Sequence, residues 1–145
     1  MFMNTEQNKD IARRFSEDII NKGDMMVADE LIDMNYINYN PIPGQMPGLE
    51  GFKKSVSALQ AAIAFQETIE ALVAEGDTVA VRAVRQGTHT GPFMGVPATG
   101  KQVSVTAIYI LRIVNGKIKE AWLNWDTLGL LQQIGAVQIP GQAGR

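Results

Sequence analysis

Apolar residues recur every third or fourth position in the first part of the chain and every second position in the rest. Ile11, Phe15 and Ile19 stand at i, i+4 and i+8 and predict a helix. Asn4 is placed to cap it with Gln7 three residues on, Glu6 lies in its first turn, and Gly23 closes it. Asp24 is placed to cap a second, short helix from Met25 to about Ile32. Asn35 to Asn40 alternates polar and apolar residues. It then runs into Pro41, Pro43, Gly44, Pro47 and Gly48, an ordered loop that no helix can cross. Phe52, Val56, Leu59 and Ile63 mark one face of a third helix.

After Phe65 the period changes to two. Thr68–Ala74 and Thr78–Thr88 read as strands joined at Gly76-Asp77, and the Gly- and Pro-rich stretch from Gly87 to Gly100 as irregular. Gln102–Val114 and Lys117–Asp126 read as a hairpin turning at Asn115-Gly116. Thr127–Ile134 supplies a last helical turn or two before a loose tail containing Gly135, Pro140, Gly141 and Gly144. Helices first and strands afterwards imply one α+β domain over residues 1–145, with three amino-terminal helices laid across one face of a curved antiparallel sheet.

A two-residue turn at Asn115-Gly116 sets Val114 opposite Lys117. Counting outward, Tyr109 opposes Trp122, Ala107 opposes Asn124, and Val105 opposes Asp126. Trp122, Asn124 and Asp126 then share a face with Tyr109, and Ile108, Ile110, Leu123 and Trp125 occupy the other. A bulge in either strand would break this count. Both faces are apolar on this reading. The helices cover one, and a second copy of the chain is the expected cover for the other, which predicts a homodimer.

The 145 residues carry 46% apolar and 19% charged side chains, a globular composition. Thirteen basic and 15 acidic residues give a net charge of −2, without the basic excess that a nucleic-acid partner requires. Cysteine is absent, which removes disulfides, thiolate catalysis and cysteine-held metals. No apolar run approaches the ~20 residues of a membrane helix, and Met1 to Asp10 lacks a signal-peptide core. The expected location is the cytoplasm.

Asp126 is the candidate for chemistry. On the counted register it ends a strand beside Val105, Tyr109 and Trp122. Desolvation there would favour the neutral carboxyl and suit an acid or base working near neutrality. From spacing alone, capping of Thr127-Leu128-Gly129 is the stronger reading of the same residue. His89, the single histidine, excludes a two-histidine metal site and reads first as a hydrogen-bonded loop residue. Ser16, Ser55, Ser57 and Ser104 lie within elements, not at a nucleophile elbow, and the loop glycines lack phosphate-cradling spacing. Tyr36 and Tyr39 fit a core as well as a pocket, and the seven methionines read as filler.

Three segments carry a family resemblance: LVAEGDTVAVR (Leu72–Arg82), GTHTGPFMGVPATGK (Gly87–Lys101) and GKIKEAWLNWDTLGLLQQIGA (Gly116–Ala136). Together they resemble the SnoaL-like polyketide cyclases, within the larger group shaped like nuclear transport factor 2. The amino-terminal half is similar through its helix layout and its NYINYNPIPG segment. The resemblance implies a cone of three helices against a bent sheet, usually dimeric, around a deep apolar cavity. It implies ring closure by intramolecular aldol condensation of an aromatic polyketide ester, with no metal, no cofactor and no covalent intermediate. An aspartate ending the last strand acts as general acid and base in that family, and Asp126 matches its position. Trp122, Asn124, Tyr109, His89 and Asn38 are the candidates for lining the pocket or holding an enolate oxygen. Tyr39-Asn40-Pro41 stands where the family often has a histidine, and Phe65-Gln66-Glu67 where it often has a Pro-Asp pair.

Two other functions stay open. Epoxide hydrolysis or ketosteroid-type isomerisation belongs to the same fold group. Hydrolysis there needs a second carboxylate and an arginine in the pocket; Arg82, Arg85 and Arg112 are available, and the pattern does not clearly turn any of them inward. A binding protein for a flat hydrophobic ligand would need no chemistry.

Overall fold

The computed structural model describes residues 4–138 with Pro140 and Gly141; Met1 and Gly144 lie outside them. Helix α1 (Thr5–Arg14) passes without a break into a π-helical stretch, Phe15–Ile20. The following elements are α2 (Met25–Leu31), β1 (Ile32–Asn38), α3 (Gly48–Ala62), β2 (Gln66–Glu75), β3 (Thr78–Thr88), β4 (Gln102–Val114), β5 (Lys117–Trp125) and α4 (Thr127–Gln133). The expected caps form. Asn4 and Gln7 make a reciprocal capping box, and Asp24 accepts from the backbone N–H groups of Met26 and Val27. The sheet runs β1-β5-β4-β3-β2. Its pairs are antiparallel except for the first: the NYIN segment is a strand, β1, lying parallel to β5. The α+β cone is as expected, α4 forms where a last helical turn or two was expected, and the strand β1 is added.

The concave face of the sheet is the core. Val79, Val81, Ala83, Tyr109, Leu111, Ile113, Ile118 and Ala121 meet Ile11, Phe15, Ile19, Ala28, Phe52 and Val56 from the helices. A second cluster joins Ile63, Phe65, Phe93, Val103 and Val105 to Leu130 and Ile134, so α4 closes one end of the cone. Truncating any of the large side chains here to alanine would cost about 2–5 kcal/mol. On the convex face, Ile108 is 57% exposed, Ile110 37% and Trp122 36%. No helix among the described residues is long and apolar enough to cross a membrane.

The hairpin corrects the counted register. Asn115 (φ 51°) and Gly116 (φ 78°) both adopt the left-handed conformation of the primed turn, and Val114 pairs with Lys117 as expected. Ile113 then pairs with Ile118 but Arg112 pairs with Glu120, so Lys119 is an extra residue on β5. Every later side chain is switched between faces. Tyr109 opposes Leu123 and Ile110 opposes Trp122. Leu123 and Trp125 point into the cone, and Trp122 and Asn124 lie on the convex side with Ile108 and Ile110.

Candidate functional site

The bulge decides where the candidate residues fall. Asp126 is exposed, not enclosed beside Tyr109 as the counted register required. It is the N-cap of α4: one carboxylate oxygen accepts from the Gly129 N–H at 2.9 Å, and its own backbone N–H donates to the Thr106 carbonyl at 3.0 Å. Trp122 stacks on Tyr39 at 4.9 Å between ring centroids, on the convex face. Tyr39 turns away from the interior and donates to Glu120 at 2.6 Å. That bond, followed by Arg112, holds the Glu120 carboxyl below the usual carboxylate range.

His89 is fully buried. Its Nδ1 accepts the Thr99 N–H at 3.3 Å and lies 2.9 Å from the Thr99 hydroxyl, while backbone bonds to Gly100 and Lys101 close the same excursion. It staples the Gly/Pro-rich loop and lines none of the cavities described below. Tyr109 is 1% exposed and belongs to the core. Asn38, half-buried, does reach a cavity.

Three cavities adjoin Trp125. The inner cleft lies inside the cone and is walled by Phe15, Tyr36, Phe52, Leu123 and Trp125, with Asn38, Asn40, Gln45 and Arg85 as its main polar lining; it leaves about 70 Å³ free. A second cavity, about 200 Å³, lies under the Asn40–Pro43 loop and touches Asn124, Trp125 and Thr127. A third, about 250 Å³, is a groove on the convex side lined by Thr106, Ile108, Asn124, Trp125 and Asp126, among others. The three share Trp125 as a lining residue, and they lie where β5 runs on to Trp125 past its last pairing with β1 at Ala121.

The interior also holds a charged group that the pattern reading did not assign. Glu67 and Arg85 are direct cross-strand partners on β2 and β3, with side chains 0% and 2% exposed. The Arg85 Nε donates to one Glu67 oxygen at 2.8 Å, and the Tyr109 hydroxyl donates to the other at 2.7 Å. Burial, reinforced by Glu67, pushes the Tyr109 hydroxyl well above its ordinary range, so it remains a donor. The small residues Ala83 and Ala107 pair with each other next to Arg85 on β3 and β4, and the guanidinium packs near two aromatic rings. Its central carbon is 5.6 Å from the Trp125 ring centroid and 5.9 Å from that of Tyr109. The alternation Val79, Val81, Ala83, Arg85 is the signal that could have shown it, since Arg85 falls in line with buried residues. Among the described residues no group of three or more His, Cys, Asp or Glu is placed to hold a metal.

The chain was compared with known proteins. A family model described as SnoaL-like polyketide cyclase matches residues 10–134. Aklanonic acid methyl ester cyclase DnrD of Streptomyces peucetius is 33% identical over 134 residues, which cover 87% of this chain and 89% of the relative. Nogalonic acid methyl ester cyclase of Streptomyces nogalater is 30% identical over 112 residues, 74% and 83% of the two chains. Among solved structures, TsrD from Streptomyces laurentii superposes with a TM-score of 0.84 at 29% identity, covering 93% of this chain and 99% of its own. IdmH from Streptomyces antibioticus gives 0.77 at 31% identity, covering 89% and 99%.

Proposed function

The chain belongs to the SnoaL-like polyketide cyclase family, and on that footing we propose that it closes a ring by intramolecular aldol addition within a planar aromatic methyl ester. The observation that carries this reading is the run of cavities around Trp125. Trp125 lines all three, the inner cleft that Arg85 also lines and the outer groove that Asp126 also lines. Each cavity alone falls short of the ~300 Å³ typical of small-molecule sites, and an elongated planar substrate would draw on more than one. The two cyclases compared above carry acid methyl esters in their names, which supports the ester; the aromatic ring is what the family resemblance implies.

Asp126 suits the proton transfer. One of its oxygens is held by the Gly129 N–H, which fixes the side chain, and the other has no hydrogen-bond partner among the described residues. No cation is paired with it there, whereas Glu70, in the same groove, is bridged to Arg82. In the proposed step Asp126 removes a proton from a methylene already acidified by flanking carbonyl and aromatic groups. The resulting carbanion attacks the ketone carbon, the carbonyl π pair moves onto oxygen, and the protonated Asp126 returns its proton to that alkoxide. Nothing is gained or lost, so the reaction needs no cofactor, and the site supplies orientation and a proton carrier. Asn124 lines the same groove, and in this scheme its amide donates to the developing oxyanion.

We take the convex face, with Ile108, Ile110 and Trp122, as the homodimer contact, which would also enclose the Asp126 groove. The hydrolase alternative gains Arg85 as an inward arginine. It lacks the carboxylate pair, because both Glu67 oxygens are committed and, among the described residues, no carboxylate lines the inner cleft. The test is conversion, by the purified protein, of an aromatic methyl ester bearing a methylene and a ketone within ring-closing reach. A product of unchanged mass and altered absorption is expected; recovery of the open chain across such substrates would refute the reading.

A further inference from the structure

Arg85 has a division of labour that the ring-closure scheme does not use. Its Nε is bound to Glu67, and its two terminal nitrogens make no hydrogen bond to the protein among the described residues. They are not among the sealed, unpartnered polar atoms, although the whole side chain is only 2% exposed, and Arg85 lines the inner cleft. The small remaining exposure therefore belongs to the cleft side, and the terminal N–H groups open onto it.

A buried guanidinium is costly unless it is paired, and Glu67 answers that cost at the back of the group. Tyr109 occupies the second Glu67 oxygen, so the carboxylate cannot swing round to cap the front. Trp125 lies against the guanidinium and is also a wall of the cleft, so a flat ring sliding along the tryptophan would be guided to the terminal nitrogens. The rest of the cleft wall is aromatic or aliphatic, apart from amides at its mouth and Ser55.

We infer that Arg85 is the receptor for a planar ligand's oxygen, a carboxylate or ionised enol, gripped end-on by the two terminal N–H groups with Glu67 as the fixed counter-charge. The two parallel donors match the two oxygens of a carboxylate, or converge on the single oxygen of an ionised enol. This inference rests on the cleft and does not depend on Asp126 chemistry. Its failure would leave the cyclase proposal standing, and failure of ring closure would leave the receptor in place.

The test is equilibrium binding of 2-naphthoate and of oxygen-free 2-ethylnaphthalene, read by tryptophan fluorescence and calorimetry. The wild-type protein should bind the carboxylate at least ~10-fold more tightly, the scale of one charge-assisted hydrogen bond. Because Arg85→Met alone would strand Glu67, the informative variant is the double Arg85→Met/Glu67→Gln. There the two probes should bind within about 2-fold of one another on loss of that bond. Should the double variant not fold, Arg85→Lys keeps the charge and removes the fork, and the carboxylate advantage should fall by at least about 3-fold. Equal binding of the probes by wild type, an advantage intact in the folded double variant, or one intact in Arg85→Lys would each overturn the assignment.

Discussion

The Asp126 carboxylate and Gly129 are fitted to each other: one oxygen accepts the Gly129 N–H at 2.9 Å, and the other lies 2.1 Å from where a β-carbon on Gly129 would stand. A glycine is thus needed at the third residue of α4 for the carboxylate to sit on the helix start. Gly129→Ala should push the carboxylate away at little cost to the fold, since the displaced atoms end a short side chain. Thermal melting within a few degrees of wild type, with ring closure lowered at least ~10-fold, is the expected pair of results if Asp126 carries the proton.

Glu67 and Arg85 should behave as one unit. Removing either partner leaves a buried charge unanswered and should cost about 3–5 kcal/mol, whereas Arg85→Met/Glu67→Gln together should cost clearly less than the two single losses added. Denaturant titration of the three variants checks this. Additive losses would mean that the pair is not coupled.

The tyrosines should titrate late. Burial raises the hydroxyl of Tyr36, burial followed by Glu67 raises that of Tyr109, and the bond to Glu120 raises that of Tyr39. A group held above its unfolded value of ~10 contributes stability that is complete below that pH and is lost as the pH climbs beyond it. Stability should therefore be flat through neutrality on this account and fall above ~10. Tyr109→Phe should shrink that alkaline loss. Ultraviolet difference titration showing tyrosine ionisation below ~10 in the folded protein would contradict it.

The convex face gives a prediction about assembly. Wild type should sediment at twice the chain mass at micromolar concentration, and Ile108→Arg, which puts a charge at the centre of that apolar band, should sediment as one chain with its fold intact. A single-chain mass for wild type would remove the dimer and the enclosure of the Asp126 groove with it.

Much of this architecture was legible in the chain. The strand pattern gave β3 and β4 to the residue, and Asn4, Asp24 and Asn115-Gly116 announced their caps and turn through local hydrogen-bonding chemistry. Side-chain facing was lost at Lys119, because one inserted residue inverts everything beyond it and leaves no compositional mark. The same error enclosed Asp126 and sent Trp125 outward. Arg85 could have been seen, since Val79, Val81 and Ala83 share its parity; its partner Glu67 could not, because β2 alternates too weakly to mark an inner face. The parallel docking of β1 and the π-helical turn at Phe15–Ile20 depend on tertiary packing and had no local signal.

Proton transfer by Asp126 is tested most directly by Asp126→Asn, because asparagine serves as an N-cap about as well as aspartate and leaves the α4 start in place. The expected variant keeps an unchanged melting profile while its ring closure falls by at least ~10²-fold, the usual scale for a positioned acid–base group. Wild-type turnover by that folded variant would contradict it.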